Sequence, residues 1–145
     1  MKKIILSAML IVGANYFASA QTPASQNPDQ ADIEFEKEVH DFGIIPQNVP
    51  ASYTFTFKNK GKEPLIITNA SASCGCTTPE WTREPIKKGE KGFVKATYNA
   101  ASPGTFNKTV TVVTNGKRPT ITLILKGDVK PASEIQQSNT ATPKK

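Results

Sequence analysis

Apolar residues in the middle of this chain recur at every second position, and that period constrains its fold more than any other feature. Ile33 and Phe35, then Tyr53, Phe55 and Phe57, Val94, Ala96 and Tyr98, Val110 and Val112, and Ile121, Leu123 and Leu125 alternate with polar neighbours such as Glu34, Thr54, Lys95, Thr111 and Thr122. A period of two belongs to half-buried β-strands, whose successive side chains point to opposite faces. No window sustains apolar residues at helical spacing. Turn chemistry separates the runs: NVP before Ala51, NKGKEP from Asn59, KKGEKG from Lys87, ASPG from Ala101 and NGKRP from Asn115, where Asn115 and Gly116 form a hairpin signal.

Seven segments result: Ile33 to His40 (A), Ser52 to Lys58 (B), Leu65 to Ala70 (C), Trp81 to Ile86 (D), Gly92 to Asn99 (E), Thr105 to Thr114 (F) and Thr120 to Gly127 (G). Short strands at this spacing fit an all-β, seven-stranded antiparallel immunoglobulin-like sandwich better than a barrel. With 145 residues and 37% apolar content there is material for one such domain.

The ends are of different character. Residues 1–20 read as a cleavable signal peptide, with Lys2 and Lys3, an apolar run from Ile4 to Val12, and the small residues Ala18, Ser19 and Ala20 before Gln21. The run is short and broken by Gly13 and Asn15, which disfavours a transmembrane span, and no cysteine follows it to carry a lipid. Residues 21–31 and 131–145 are polar and proline-broken, as expected of a flexible linker and a disordered tail, which leaves residues 32–130 as the domain. The expected location is outside the bacterial cytoplasm, periplasmic or secreted, where disulfides persist.

Taken together, HDFGII (His40 to Ile45), FTFKNKGKEPLII (Phe55 to Ile67), SCGCTTPEW (Ser73 to Trp81), PIKKGEKG (Pro85 to Gly92), Tyr98 and GTFNKTV (Gly104 to Val110) resemble the domain-of-unknown-function family numbered 1573. The resemblance spans the whole expected domain. It implies an immunoglobulin-like fold, similar to the major-sperm-protein and pilus-chaperone sandwiches, in small exported bacterial proteins. One departure is PQNVP after HDFGII, where such sequences often carry glycine. The resemblance implies no activity, so the residues carry the functional argument alone.

If strand directions alternate, the end of A, the end of C and the E to F turn share one pole. His40, Asp41, Cys74, Cys76 and the turn from Ala101 to Gly104 then form one candidate surface, with Trp81 nearby. Two thiols at i and i+2 of an extended strand stand about 6.5 to 7 Å apart at Cα, the outer limit for a disulfide, and Gly75 permits the bend that would join them. A bond closing so small a loop contributes only about 1.5 kcal/mol, so local shaping of the loop or redox chemistry explains it better than global stabilisation. Structural zinc needs about four ligands, and two cysteines with a single histidine do not supply them, so no metal is assigned. Cu(I) accepts fewer soft ligands, with His40 as an available third. No oxyanion hole or phosphate-cradling glycine loop is marked, and no cofactor or catalytic residue is assigned. Trp81 is read either as an exposed binding aromatic or as a cover for the core beneath the Cys-Gly-Cys loop.

Charge supplies a second candidate. The formal charge of +6 falls to +4 once Lys2 and Lys3 leave with the signal peptide. At the opposite pole the B to C, D to E and F to G turns carry Lys58, Lys60, Lys62, Lys87, Lys88, Lys91, Lys117 and Arg118, against Glu63 and Glu90 in the same turns. That pole is expected to be positive and suited to an anionic envelope surface. Nucleic acid is not expected outside the cytoplasm. The functional expectation is a non-enzymatic, exported binding or adaptor module of the cell envelope, with a protein or an anionic surface as partner. The rival is a thiol-redox or Cu(I)-handling protein centred on Cys74 and Cys76.

Overall fold

The structure, a computed structural model, describes residues 29–138, so the expected signal peptide, most of the linker and the last residues of the tail lie outside the described residues. Eight strands are formed: β1 (Ile33–Phe35), β2 (Val39–Pro46), β3 (Ala51–Asn59), β4 (Ile67–Ala72), β5 (Thr77–Trp81), β6 (Lys91–Tyr98), β7 (Gly104–Thr114) and β8 (Thr120–Lys130). They build two four-stranded sheets, in the orders β1-β3-β6-β5 and β2-β8-β7-β4. The alternation sets the inner faces directly. Phe55, Phe57, Val94, Ala96 and Tyr98 of one sheet face Val110, Val112, Ile121, Leu123 and Leu125 of the other, and all are buried. The all-β immunoglobulin-like sandwich therefore stands, with changes at two of its edges.

Segment A divides. After β1 pairs antiparallel with β3, the chain crosses at Glu36 to Glu38 and β2 joins the second sheet parallel to β8, from Val39 opposite Ile124 to Pro46 opposite Lys130. No glycine or proline marks the crossing, so the sequence pattern runs through it unbroken. Segment D shifts toward the cysteines: β5 is Thr77–Trp81, and Ile86 makes only a lone bridge to Leu65. Pro79 hides β5 from a reading of turn signals, yet proline is tolerated on an edge strand because no ladder bond needs its missing N–H.

The HDFG stretch is a β-bulge. The Asp41 carboxylate accepts the Gly43 N–H at 2.9 Å, Gly43 turns to φ +64°, and the pairing with β8 breaks between Asp41 and Ile44. The inward side chains thereby change phase from His40 and Phe42 to Ile45. Opposite the bulge, a Cβ on Gly127 would lie 2.8 Å from the Gly43 carbonyl oxygen and 2.9 Å from the Phe106 ring. Glycine at 127 is what lets the bulged backbone approach this closely.

Both flanks of the domain are longer than expected. Ala31 is buried, and its carbonyl accepts the Lys117 N–H at 2.8 Å, so the end of the expected linker is part of the sandwich. Residues Ala132–Ser138 of the expected tail form a short helix, α1, whose start is tied by the Glu134 N–H to the Pro131 carbonyl at 3.0 Å.

Candidate functional site

The cysteines stand where the chain turns from one sheet to the other. β4 is the edge of the second sheet, β5 is the edge of the first, and residues 73–76 are the corner between them. Cys74 and Cys76 are joined there by a disulfide, with Cα atoms 5.3 Å apart across Gly75. Each flank of the corner is also held by backbone. The Ser73 N–H donates to the Thr109 carbonyl at 2.9 Å, and the Thr109 N–H donates back to Ser73 Oγ at 3.2 Å. On the other flank the Asn99 N–H donates to the Cys76 carbonyl at 2.9 Å, while the Thr77 N–H spans the corner to the Cys74 carbonyl at 3.3 Å. With Cys74 in a disulfide the only hydroxyl proton available belongs to Thr77, whose Oγ1 donates to Cys74 Sγ at 3.9 Å.

Two further loops interlock with this corner. The Asn48 N–H donates to the Ala100 carbonyl at 2.9 Å, Gln47 Nε2 to the Ala101 carbonyl at 2.9 Å, and the Ala101 N–H to Asn99 Oδ1 at 3.2 Å. Asn48 and Ala100 adopt positive φ, 62° and 51°. For a buried alanine that conformation costs about 1–2 kcal/mol, which the surrounding bonds offset. Residues 47–50, 73–76 and 99–103 together make a plate without one charged side chain, with Val49 52% exposed on it. The sequence reading found the cysteines and the E to F turn of this plate. It missed Gln47 to Pro50, although the absence of Lys, Arg, Asp and Glu from all three loops was there to be read.

His40 and Asp41 do not belong to this site. Register puts Val39, Ile124, Thr109 and Ser73 in one row across the second sheet, so His40 and the cysteines occupy opposite edges, about 14 Å apart at three strand spacings. The expectation that they are neighbours fails because β2 joins β8 rather than remaining in the first sheet. A Cu(I) site of Cys74, Cys76 and His40 is accordingly not assembled. Instead His40 closes the other side of the sandwich, stacked on Tyr53 with ring centroids 3.6 Å apart and edge-on to Phe42 at 4.5 Å. Its pKa is lowered, first by burial and then by Lys37, against the opposing pull of Asp41. Asp41 faces outward, and its pKa is lowered chiefly by the Gly43 N–H and further by Lys126, 3.5 Å away. Trp81 packs at the edge of the core at the far end of β5, about 13 Å along the strand from the corner, with the Arg83 guanidinium 3.7 Å over its ring. It does not cover the Cys-Gly-Cys loop.

The lysine-bearing turns do share the opposite pole. Asn59 and Glu90, Gly89 and Asn59, and Lys60 and Asp32 are joined there by backbone bonds of 3.0, 2.8 and 2.7 Å. The pole is much less positive than expected, because the segment from Asp29 to Glu38 is threaded across it. Lys60 pairs with Glu34, Lys62 with Asp29, Lys91 with Glu36, Lys117 with Asp32 and Arg118 with Glu38. Only Lys58, Lys87 and Lys88 of the expected cluster have no ion pair among the described residues. At the centre of this pole lies the fully buried Asn59. Its Oδ1 accepts from the N–H groups of Asp32 (3.2 Å) and Gly61 (2.9 Å), and its Nδ2 donates to the carbonyls of Glu63 (2.8 Å) and Ile86 (2.9 Å).

Among the described residues, no three His, Cys, Asp or Glu side chains converge as a metal site, and no helix is long and apolar enough to cross a membrane.

Comparison with known proteins bears on the fold. The sequence pattern of the family described as "Protein of unknown function (DUF1573)" matches residues 33–129. No curated protein matches. A crystal structure of a protein of unknown function from Porphyromonas gingivalis W83 is similar, with 15% identity and a TM-score of 0.63 over 72% of this chain; the chain spans 50% of that structure's length. The ASH / PapD-like domain 7 of human CEP192 has 12% identity and a TM-score of 0.61, over 79% of this chain and 96% of that one. The Vibrio cholerae VesB protease has 18% identity and a TM-score of 0.56, over 69% of this chain but only 32% of its own. At these identities the likeness is one of fold.

Proposed function

This chain belongs to the DUF1573 family, and we propose that it is a non-enzymatic binding or adaptor module, exported to the bacterial cell envelope, that docks a protein partner on the plate around Cys74 and Cys76. The observation that carries this reading is the plate itself: three loops cross-bonded at 2.9 Å by Asn48 to Ala100, Gln47 to Ala101 and Asn99 to Cys76, without a charge among them. Interface centres are depleted of charged residues, and a surface already rigid loses little conformational freedom on binding. The residue pattern of positions 1–20 and the disulfide both suit an oxidising compartment. The opposite pole supports docking to anionic surfaces poorly, because five of its eight cations are ion-paired internally.

A photo-crosslinking residue at Val49 or Ser102, compared with one at Lys88, tests the assignment in the native bacterium. The expected result is a discrete protein adduct from the first two positions, from a mature chain beginning at Gln21. Adducts from Lys88 alone, or salt-sensitive sedimentation with anionic vesicles abolished by Lys88→Glu, would move the binding face to the lysine pole. A chain retained in the cytoplasm with residues 1–20 attached would overturn the envelope assignment.

A further inference from the structure

Beyond docking, we propose that the Cys74–Cys76 disulfide is a thiol-exchange site for a dithiol of a partner protein, in which the incoming thiolate attacks Cys76 Sγ and Cys74 departs as a thiolate. The corner does not depend on the bond for its shape. Ser73 is bonded both ways to Thr109, the Cys76 carbonyl is held by Asn99, and Thr77 closes back on the Cys74 carbonyl. The reduced corner therefore keeps the two sulfurs in reach of one another, which makes the exchange reversible on a folded protein. A bond that closes three residues, in a corner already closed by backbone, is poorly accounted for as a staple.

Access and direction also follow from the geometry. Gly75 is exposed at the tip, with no atom within 4 Å of the position a side chain would take, and both cysteines are only half-buried. The surrounding loops place no carboxylate against an incoming thiolate. The two sulfurs differ in one respect: Thr77 Oγ1 lies 3.9 Å from Cys74 Sγ, and its hydroxyl proton stabilises negative charge on that sulfur. In thiol exchange the better-stabilised thiolate leaves faster.

The exchange balances without a further reactant. One thiolate of the donor dithiol forms a bond to Cys76 Sγ as the Cys74–Cys76 bond breaks, and the bonding pair goes to Cys74 Sγ. The donor's second thiolate then attacks its own sulfur in the mixed disulfide and releases Cys76. Two electrons pass to the cysteines, the donor leaves as a disulfide, and its two thiol protons are taken up by Cys74 and Cys76.

The test uses the full oxidised chain with dithiothreitol under native conditions, counting alkylated cysteines by mass while circular dichroism monitors the fold. The bond is expected to open with the fold intact, about tenfold more slowly in Thr77→Val and within about twofold of the native rate in Thr77→Ser. Opening no faster than global unfolding would overturn the proposal, as would an unchanged rate in a folded Thr77→Val. Should Thr77→Val fail to fold, the single-cysteine chains still decide the direction. At neutral pH, Cys74 in Cys76→Ser should react with iodoacetamide at least about threefold faster than Cys76 in Cys74→Ser. The opposite order, or equal rates, would refute the assignment of the leaving sulfur.

Discussion

Replacing Asn59 with alanine should be among the most damaging single changes in this domain, although the residue is polar and bears no part in the proposed binding face. Its amide makes four hydrogen bonds, all to backbone, that join β3 to the segment before β1, to the turn after itself, and to Ile86 ahead of β6. At about 1 kcal/mol net for each bond the loss is about 4 kcal/mol. Alanine leaves the Gly61 N–H without a partner in buried surroundings and leaves the Ile86 carbonyl with only its bond from the Leu65 N–H, whereas the Asp32 and Glu63 groups are only partly buried and can recruit water. The expected destabilisation is therefore about 3–5 kcal/mol, a large share of the ~5–15 kcal/mol typical of a small domain. Urea unfolding followed by the fluorescence of Trp81, the sole tryptophan, measures it directly, provided the slope m is unchanged. Asn115→Ala is the internal comparison. That side chain also bridges backbone, accepting from Ile66 at 2.8 Å and donating to Pro64 at 3.0 Å, but in exposed surroundings, so about 1 kcal/mol is expected. A loss below about 1.5 kcal/mol for Asn59→Ala, or one no larger than for Asn115→Ala, would refute the argument that a buried amide organises this pole.

Three further outcomes follow from the geometry. Gly127→Ala should cost about 1–3 kcal/mol in the same assay, because its Cβ would press on the Gly43 carbonyl and the Phe106 ring at 2.8 and 2.9 Å, so that the bulge or the ring must shift. His40 has a folded pKa below its unfolded value, so the unfolded chain binds the extra proton; stability contributed by neutral His40 is present above about pH 6.5 and is lost as pH falls toward the folded pKa. His40→Phe, which keeps a ring against Tyr53, should flatten the urea midpoint between pH 7 and 5, and an unchanged slope would count against this term. Changing both Cys74 and Cys76 to serine should lower stability by no more than about 1.6 kcal/mol, the loop-entropy value for a closed loop of three residues; a loss of about 4 kcal/mol would make the disulfide a structural necessity.

The inner faces of both sheets were legible because period-two burial leaves its mark wherever a strand has one wet side, as in Phe55 and Phe57 or Leu123 and Leu125. What escaped lay at the edges, where local sequence stops dictating partner choice. The crossing at Glu36 to Glu38 carries no turn residue, and nothing local tells Val39 to pair with Ile124 rather than with β3. β5 escaped because Pro79, which argues against a central strand, is harmless on an edge. The Cys-Gly-Cys bend was read correctly from Gly75 and the i, i+2 spacing. Its separation from His40 was not legible, since it depends on that same crossing.

The charge misreading has the same origin and bears on the proposed binding face. Counting charges turn by turn overstated the positive pole, because the acids that offset most of it lie far away in sequence, on the stretch from Asp29 to Glu38. β1 is only three residues long, and its outward Glu34 stands beside the lysines of the following turns once β1 pairs with β3. Exposed pairs of this kind add little to stability. They change what the surface can offer: an anionic partner would have to displace carboxylates already seated on Lys60, Lys62, Lys91, Lys117 and Arg118. At the other pole the backbone N–H groups of Asn48 and Asn99 and the side-chain amide of Gln47 are bonded across the loops, so the surface presents bonded backbone, Val49 and the disulfide, with no ion to desolvate. Of the two poles, the cheaper one to cover is the one that holds the cysteines.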